Sequence, residues 1–323
     1  MVRESDRLAA PPAPPDPTPG GAVVPTGAST GRPASLAAEV ADRVGSAREA
    51  AWIVEHVAGT PDGRADPAGA REAALALADR RAAGEPLQYV LGTWQFRTLE
   101  LTVDRRVLIP RPETEQVVEV ALAELARIGT GRPADGAPLV CVDLGTGSGA
   151  IALSLAAEGP GSVDRPLEVW ATDRSAGALD VARDNLDALS AVDPVSGARV
   201  ILSEGSWFDA LPDRLARRID LVVANPPYVA EDEYQGLEPG VREWEPVGAL
   251  VAPRGSTGVG GLADVEAVVT GAARWLGPTG AVVVELAPSQ AYAAIDVARR
   301  AGFTRVGTAR DLTGRMRMLV ASR

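Results

Sequence analysis

The chain has 323 residues, of which 46% are hydrophobic and 23% are charged, and its formal net charge at pH 7 is −11. This composition is that of an ordinary globular protein, and the length favours two domains. The negative charge disfavours a protein that holds nucleic acid on a basic face, and it suits a basic protein partner better.

The single cysteine and the single histidine exclude two further kinds of site. With Cys141 alone no intrachain disulfide can form, and its place in an apolar run predicts a small core residue. His56 alone cannot build a histidine metal site, so no metal is expected. The sequence has neither a run of about 18 apolar residues nor an apolar signal core, so we expect a cytoplasmic protein.

The first part of the chain divides into a tail and a helical region. Residues 1–33 are rich in Pro, Ala and Gly, and we expect a disordered tail because they bury too little apolar surface. Residues 34–86 contain three helical patterns, and Ser46 is placed to cap the second of them. The patterns are SLAAEVADRV, SAREAAWIVEHVAG and AGAREAALALADRRAAGEP. They predict a small N-terminal helical domain.

Residues 87–112 are predicted to bridge this domain to the rest of the chain. The segments YVLGTWQF and FRTLELTV read as two strands of one hairpin, and the second alternates apolar and polar residues. Pro112 and the acidic residues after it then mark the start of a helix.

From about residue 138 the pattern changes to alternating strands and helices. The predicted strands are LVCVDL, LEVWATD, RVILS, DLVVAN and AVVVEL. Continuous apolar strands joined by helices indicate an α/β fold with a parallel sheet covered on both faces. The last segment, TRVGTARDLTGRMRMLVAS, predicts an antiparallel pair of strands that closes this sheet.

A glycine loop follows the first of these strands. Gly145, Gly147 and Gly149, with Thr146 and Ser148 between them, let the backbone turn sharply and approach a ligand closely. The helix that follows points its free N–H groups at such a ligand. The loop predicts an adenosyl or dinucleotide cofactor, and the alternative is a tight turn without a ligand.

Two residues at later strand ends are candidates for the same ligand. Asp173 ends the second strand, where a carboxylate can accept both ribose hydroxyls of a nucleoside. The alternative role for Asp173 is a helix N-cap, although Ser175 can serve as that cap. Trp207 follows the third strand and can pack on an adenine ring, or it can belong to the core.

The fourth strand stops at an unusual tetrapeptide, Asn225-Pro226-Pro227-Tyr228. It suits a planar nitrogen with two N–H groups, because the Asn225 side-chain oxygen and the Pro226 carbonyl can each accept one of them. Such a nitrogen is a poor nucleophile, since its lone pair is delocalised. Holding it in line with an electrophile helps the reaction without a strong base. Tyr228 adds an aromatic face.

The tetrapeptide resembles the motif of amino-methyltransferases that use S-adenosylmethionine and act on adenine, cytosine or glutamine nitrogens. Together with EPLQYVLGTWQF, DRRVLIPRPETE, DLGTGSGAIALSLA, ATDRS and SWF, it looks like the HemK/PrmC family. These are protein-(glutamine-N5) methyltransferases that modify peptide chain release factors. The segment RVLIPRPETE is the most specific to that family.

The resemblance implies a class I methyltransferase with a Rossmann-like seven-stranded sheet over residues 113–323. The helical domain would recognise the release factor. The glycine loop, Asp173, Trp207 and Asn225 would contact S-adenosylmethionine, and residues 225–228 would hold the glutamine of a Gly-Gly-Gln loop. Arg111 and Glu113 would shape the wall between the domains. One departure is Ser206, where the family often has Asp, with Glu204 nearby as a replacement polar contact.

Three other functions stay open at this stage. One is a glutamine methyltransferase that acts on a ribosomal protein, and a more distant one is an adenine-N6 methyltransferase acting on nucleic acid. The net charge of −11 argues against the second. The third is a dinucleotide-binding protein without catalysis, in which residues 225–228 only stop a strand.

Overall fold

Three helices open the part of the chain that the computed structural model describes, which is residues 35–60, 64, 66–131, 136–163 and 165–323. They are α1 (Leu36–Val44), α2 (Ala47–Gly59) and α3 (Pro67–Ala82), and they pack around a small apolar cluster that includes Val40 and Ile53. Ser46 caps α2 by accepting a hydrogen bond from the N–H of Glu49. The predicted tail of residues 1–33 lies outside the described residues.

The hairpin is shorter than its sequence indicates. Residues Leu87–Leu91 form a short helix, α4, and the strands are β1 (Thr93–Phe96) and β2 (Leu99–Thr102). The prediction of a strand beginning at Tyr89 is therefore wrong. A short apolar run fits a buried helix as well as a strand. Here Pro86 precedes the helix, and Gly92 ends it in the left-handed conformation.

The remaining elements form the α/β part of the molecule, which lies with the helices and hairpin in one compact unit, Leu36–Arg323. They are α5 (Pro112–Gly131), β3 (Leu139–Leu144), α6 (Ala150–Glu158), β4 (Leu167–Asp173), α7 (Ala176–Val192), α8 (Pro194–Gly197), β5 (Val200–Glu204), β6 (Ile219–Ala224), α9 (Pro239–Arg242), α10 (Val247–Leu250), α11 (Ala263–Trp275), β7 (Leu276–Glu285), α12 (Ala291–Arg300), β8 (Arg305–Arg310) and β9 (Met316–Ser322).

Seven of the strands form one sheet in the order β5-β4-β3-β6-β7-β9-β8. Strands β3 to β7 are parallel, and β9 runs antiparallel to both of its neighbours. This confirms the predicted parallel sheet and its antiparallel closing pair. The chain moves outward from β3 through β4 to β5 and then returns to β6 on the other side of β3. Ligands bind at such a switch point, beyond the carboxyl ends of the strands.

The sheet is buried on both faces, and neighbouring residues of β6 alternate between the two cores. Val222 packs on the side of α11 and α12, and Leu221 packs on the side of α5 and α6. Cys141 in β3 is fully buried, as predicted for a core residue. No helix among the described residues is both long and apolar enough to cross a membrane.

Candidate active site

A cleft of about 240 Å³ opens at the carboxyl ends of β3, β4 and β6. Its lining residues fall within six stretches of the chain, which are 106–114, 145–151, 173–178, 205–207, 225–227 and 246–249. The predicted residues on its wall are Gly145, Thr146, Gly147, Ser148, Asp173, Trp207, Asn225 and Pro227. The other three predicted residues, Gly149, Pro226 and Tyr228, do not line it. The fold thus gathers most of the motifs found in the sequence around one cavity.

The glycine loop adopts left-handed backbone at all three glycines, with φ angles of 74°, 56° and 86°. A side chain at Gly147 would meet no atom within 4 Å, and one at Gly145 would lie 3.4 Å from the Trp207 ring. Gly149 has a different role, because it precedes the first residue of α6 and faces Leu153. The loop therefore leaves bare backbone against the open cleft at Gly147.

Asp173 holds the loop in place. One carboxylate oxygen accepts a hydrogen bond from the N–H of Gly147, and the other accepts one from the N–H of Ser175, both at 2.9 Å. Ser175 caps α7 through the N–H of Ala178, so the alternative that Asp173 is the helix cap is wrong. Each carboxylate oxygen keeps a further lone pair on the cleft wall. Two ribose hydroxyls are the kind of donor that this position can accept.

Trp207 packs on the core and also reaches the cleft. Its ring lines the cleft and also packs against the core on the α11 side of the sheet. Its backbone is left-handed, with φ of 47°, which is a strained conformation for an aromatic residue and a frequent mark of functional sites. Ser206 lines the cleft next to it, whereas Glu204 is exposed and lies outside it. Glu204 is therefore not a replacement polar contact on this wall.

The tetrapeptide is held by a hydrogen-bonded chain of side chains. Asn225 Nδ2 donates to Thr114 Oγ1 at 3.1 Å, and the Thr114 hydroxyl donates to Glu285 Oε2 at 2.8 Å. The Tyr228 hydroxyl donates to Glu285 Oε1 at 3.2 Å. Among the described residues no group donates to Asn225 Oδ1, and Asn225 lines the cleft. Pro226 is buried, and Tyr228 is half-buried.

Two parts of the cleft wall contain none of the site residues predicted from the sequence. One is 246–249, and the other is the stretch Arg106–Pro110, which follows the hairpin. Glu245, which is 4% exposed, anchors this stretch by accepting from the N–H of Ile109 and from the Arg111 guanidinium. Burial raises the pKa of Glu245, and Arg111 opposes that rise. Arg111 thus supports the wall through an ion pair, while Glu113 pairs with Arg315.

Asp143 at the end of β3 lies directly beneath the glycine loop. It accepts hydrogen bonds from the Thr146 hydroxyl at 2.6 Å and from the N–H of Ala152 at 3.1 Å, and its Oδ1 has no partner. Burial raises the pKa of this carboxyl from 3.8 to about 7, and the two hydrogen bonds limit the rise. A carboxyl with a raised pKa favours the protonated form in the folded state.

We expect this carboxyl to make stability depend on pH, as a comparison with the Asp143→Asn variant would reveal. Because the folded pKa lies above the unfolded one, wild-type stability relative to the variant should fall as the pH rises from about 4 to about 7. Above that range the difference should level off. The free energy of unfolding of both proteins, measured in denaturant at pH steps, checks this. A difference that does not change with pH would contradict it.

The cleft suits an adenosyl cofactor. Bare backbone at Gly147, a carboxylate at Asp173 and an aromatic ring at Trp207 are the groups that such a molecule needs for its polar and flat parts. Together with the seven-stranded sheet and its switch point, they define a class I S-adenosylmethionine-dependent methyltransferase.

Comparison with known proteins agrees with this assignment to the methyltransferases and identifies the family. Residues 136–237 match the methyltransferase small domain. A release factor glutamine methyltransferase of Burkholderia pseudomallei is 42% identical over 247 residues, which are 76% of this chain and 78% of that protein. One from Bordetella pertussis is 42% identical over 269 residues, which are 83% of this chain and 87% of that protein. The chain belongs to the family of release factor glutamine methyltransferases, which confirms the resemblance seen in the sequence.

One of the solved structures similar to the chain is the 16S rRNA N2 G1207 methyltransferase of T. Thermophilus. It shares 20% identity with a TM-score of 0.46, over 72% of this chain and 49% of that one.

Proposed function

We propose that this protein transfers a methyl group from S-adenosylmethionine to the side-chain amide nitrogen of the glutamine in the Gly-Gly-Gln loop of peptide chain release factors. The observation that carries the proposal is Asn225, which lines the same cleft as the glycine loop and Asp173. The names of relatives about 40% identical over most of the chain support the choice of acceptor. We place the reaction in the cytoplasm, where release factors meet the ribosome.

The residues of the cleft have separate tasks in this proposal. The glycine loop, with Gly149 at its end, and Asp173 hold the cofactor, together with Trp207 and Asn225. When bound, S-adenosylmethionine supplies an electrophilic methyl group on a sulfonium. Asn225 Oδ1 and the Pro226 carbonyl each accept one N–H of the glutamine, and Pro227 and Tyr228 complete its seat. No described hydrogen bond ends on either of these two acceptors, and Asn225 lines the cleft.

Orientation is the main help that the site gives to the reaction. An amide nitrogen delocalises its lone pair, so methyl transfer needs that lone pair aimed at the methyl carbon. Two acceptors on the N–H groups fix this direction and stabilise the positive charge that grows on nitrogen. The cationic nitrogen is acidic enough to pass its extra proton to water, so the site needs no strong base at Asn225.

The division of labour along the chain is part of the same proposal. Residues 34–86 recognise the release factor, and residues 113–323 catalyse the reaction. Residues 87–112 connect these two domains. The support is that none of the residues that line the cleft belongs to α1, α2 or α3. A net charge of −11 disfavours a nucleic-acid acceptor.

Tritiated methyl transfer from S-adenosylmethionine to a purified release factor tests the proposal. We expect label on the wild-type release factor and none on a release factor whose Gly-Gly-Gln glutamine is replaced by alanine. Ribosomal proteins serve as a second acceptor in parallel. Label on ribosomal protein alone, or equal label on both forms of the release factor, would contradict the proposed acceptor.

A further inference from the structure

Glu285 is a buried carboxylate that the tasks above do not use. It ends the apolar strand β7, is 1% exposed, and has no cation within 4.0 Å among the described residues. Burying a carboxylate in this way is costly unless its oxygens are hydrogen-bonded. Both oxygens are, and both partners are hydroxyl groups, Thr114 and Tyr228. The same carboxylate is therefore hydrogen-bonded to Thr114, which contacts Asn225, and to Tyr228, the last residue of the tetrapeptide.

The chain of hydrogen bonds from Glu285 to Asn225 has a fixed direction. The Thr114 hydroxyl donates to Glu285 Oε2 at 2.8 Å, and a hydroxyl has a single proton to donate. Thr114 Oγ1 can then only accept from Asn225, and it does so from Nδ2 at 3.1 Å. An amide that turns its nitrogen to Thr114 turns its oxygen to the opposite side. The acceptor oxygen of Glu285 thus decides, through Thr114, which atom of Asn225 is available to a ligand.

This orientation matters because the two ends of an amide are chemically opposite. The glutamine nitrogen presents only N–H donors to Asn225, so it needs the oxygen and is repelled by Nδ2. We propose that Thr114 and Glu285 are positioning residues that hold the Asn225 amide with Oδ1 available to the acceptor nitrogen. This inference rests on the proposed function. Through its second oxygen, Glu285 also fixes the Tyr228 hydroxyl, so one buried group holds both ends of the tetrapeptide.

Thr114→Val tests the inference because valine keeps the shape of threonine and removes the hydroxyl. We expect kcat for release factor methylation to fall about tenfold or more, while the Kd for S-adenosylmethionine changes less than about twofold. Thr114→Ser keeps the hydroxyl and should stay within about threefold of wild type. Thr114→Ala gives the same comparison if the valine variant does not fold. Equal rates for Thr114→Val and Thr114→Ser would overturn the inference.

A double-mutant cycle separates positioning from a general structural role. In the otherwise wild-type enzyme, Glu285→Gln should lower kcat. A glutamine amide at this position can donate to Thr114 and so reverse the direction of the hydrogen bonds that lead to Asn225. In the Thr114→Val background the link to Asn225 is already broken, so Glu285→Gln should add only the smaller loss in kcat that comes through the Tyr228 hydroxyl. Losses that simply multiply would show two independent effects and overturn the inference. A wild-type enzyme that does not methylate release factor would instead refute the proposed function, on which the inference rests.

Discussion

Methyl transfer by an Asn225→Ala variant is expected to be slower than by the wild-type protein by about 10² to 10³-fold, the usual cost of removing one preorganised polar group from a reacting centre. The variant lacks the side-chain oxygen that is available on the cleft wall. Without this oxygen, the side-chain nitrogen of the release-factor glutamine has one acceptor fewer, and its lone pair is aimed less well at the methyl group. Single-turnover rates at saturating S-adenosylmethionine measure the effect.

The affinity for S-adenosylmethionine is the control for this variant. Most of the cofactor contacts that we propose come from the glycine loop, Asp173 and Trp207, so calorimetry should give a Kd within a few-fold of wild type. A rate that falls only in proportion to the lost affinity would assign Asn225 to the cofactor alone. That outcome would contradict its place at the acceptor nitrogen.

A second large effect is expected at Gly261, which lies behind the tetrapeptide. Its backbone is left-handed, with φ of 68°, and an added Cβ would lie 2.2 Å from the carbonyl oxygen of Tyr228. That carbonyl also accepts a hydrogen bond from Gln290 Nε2. The Gly261→Ala variant combines left-handed strain of about 1–2 kcal/mol with overpacking of about 1–3 kcal/mol. We expect it to lose both stability and methyl transfer.

Gly258 provides a matched control in the same loop. It is also left-handed, with φ of 83°, but a Cβ there would meet no atom within 4 Å. The Gly258→Ala variant should show only the backbone strain and keep nearly wild-type activity. Denaturant unfolding and methyl transfer for the two variants separate strain from collision. Equal losses in both would mean that contact with Tyr228 is unimportant.

The sheet was predictable from the sequence because its strands are apolar on both faces. LVCVDL and LEVWATD match β3 and β4 residue for residue. The same reasoning fails at Leu87–Leu91, where a short apolar run is compatible with helix and strand alike. There the outcome is decided by Pro86 before the run and by Gly92 after it. Local pattern is therefore sufficient where burial is two-sided, and insufficient where a segment is short.

The site was predictable where its residues stand together in a motif. The glycine loop and the tetrapeptide are each recognisable as a continuous motif. Thr114 and Glu285, in contrast, are 171 residues apart and come into contact only in the fold. Glu245 and Arg111 are 134 residues apart. A signal for Glu285 did exist, because a charged residue that ends an otherwise apolar strand needs a partner. The sequence could not say which partner.

The position of β9 has a consequence for how the protein is made. Strand β9 comes after β8 in the chain but lies between β7 and β8 in the sheet. During synthesis the open edge of β7 therefore stays unpaired until residues 316–322 appear, about 2 to 7 seconds after Glu285 at ordinary elongation rates. An unpaired apolar edge is a template for aggregation. The nascent chain is thus exposed to aggregation late in translation. At that stage the tetrapeptide has been made, but β7, which carries Glu285, is paired along only one of its two edges.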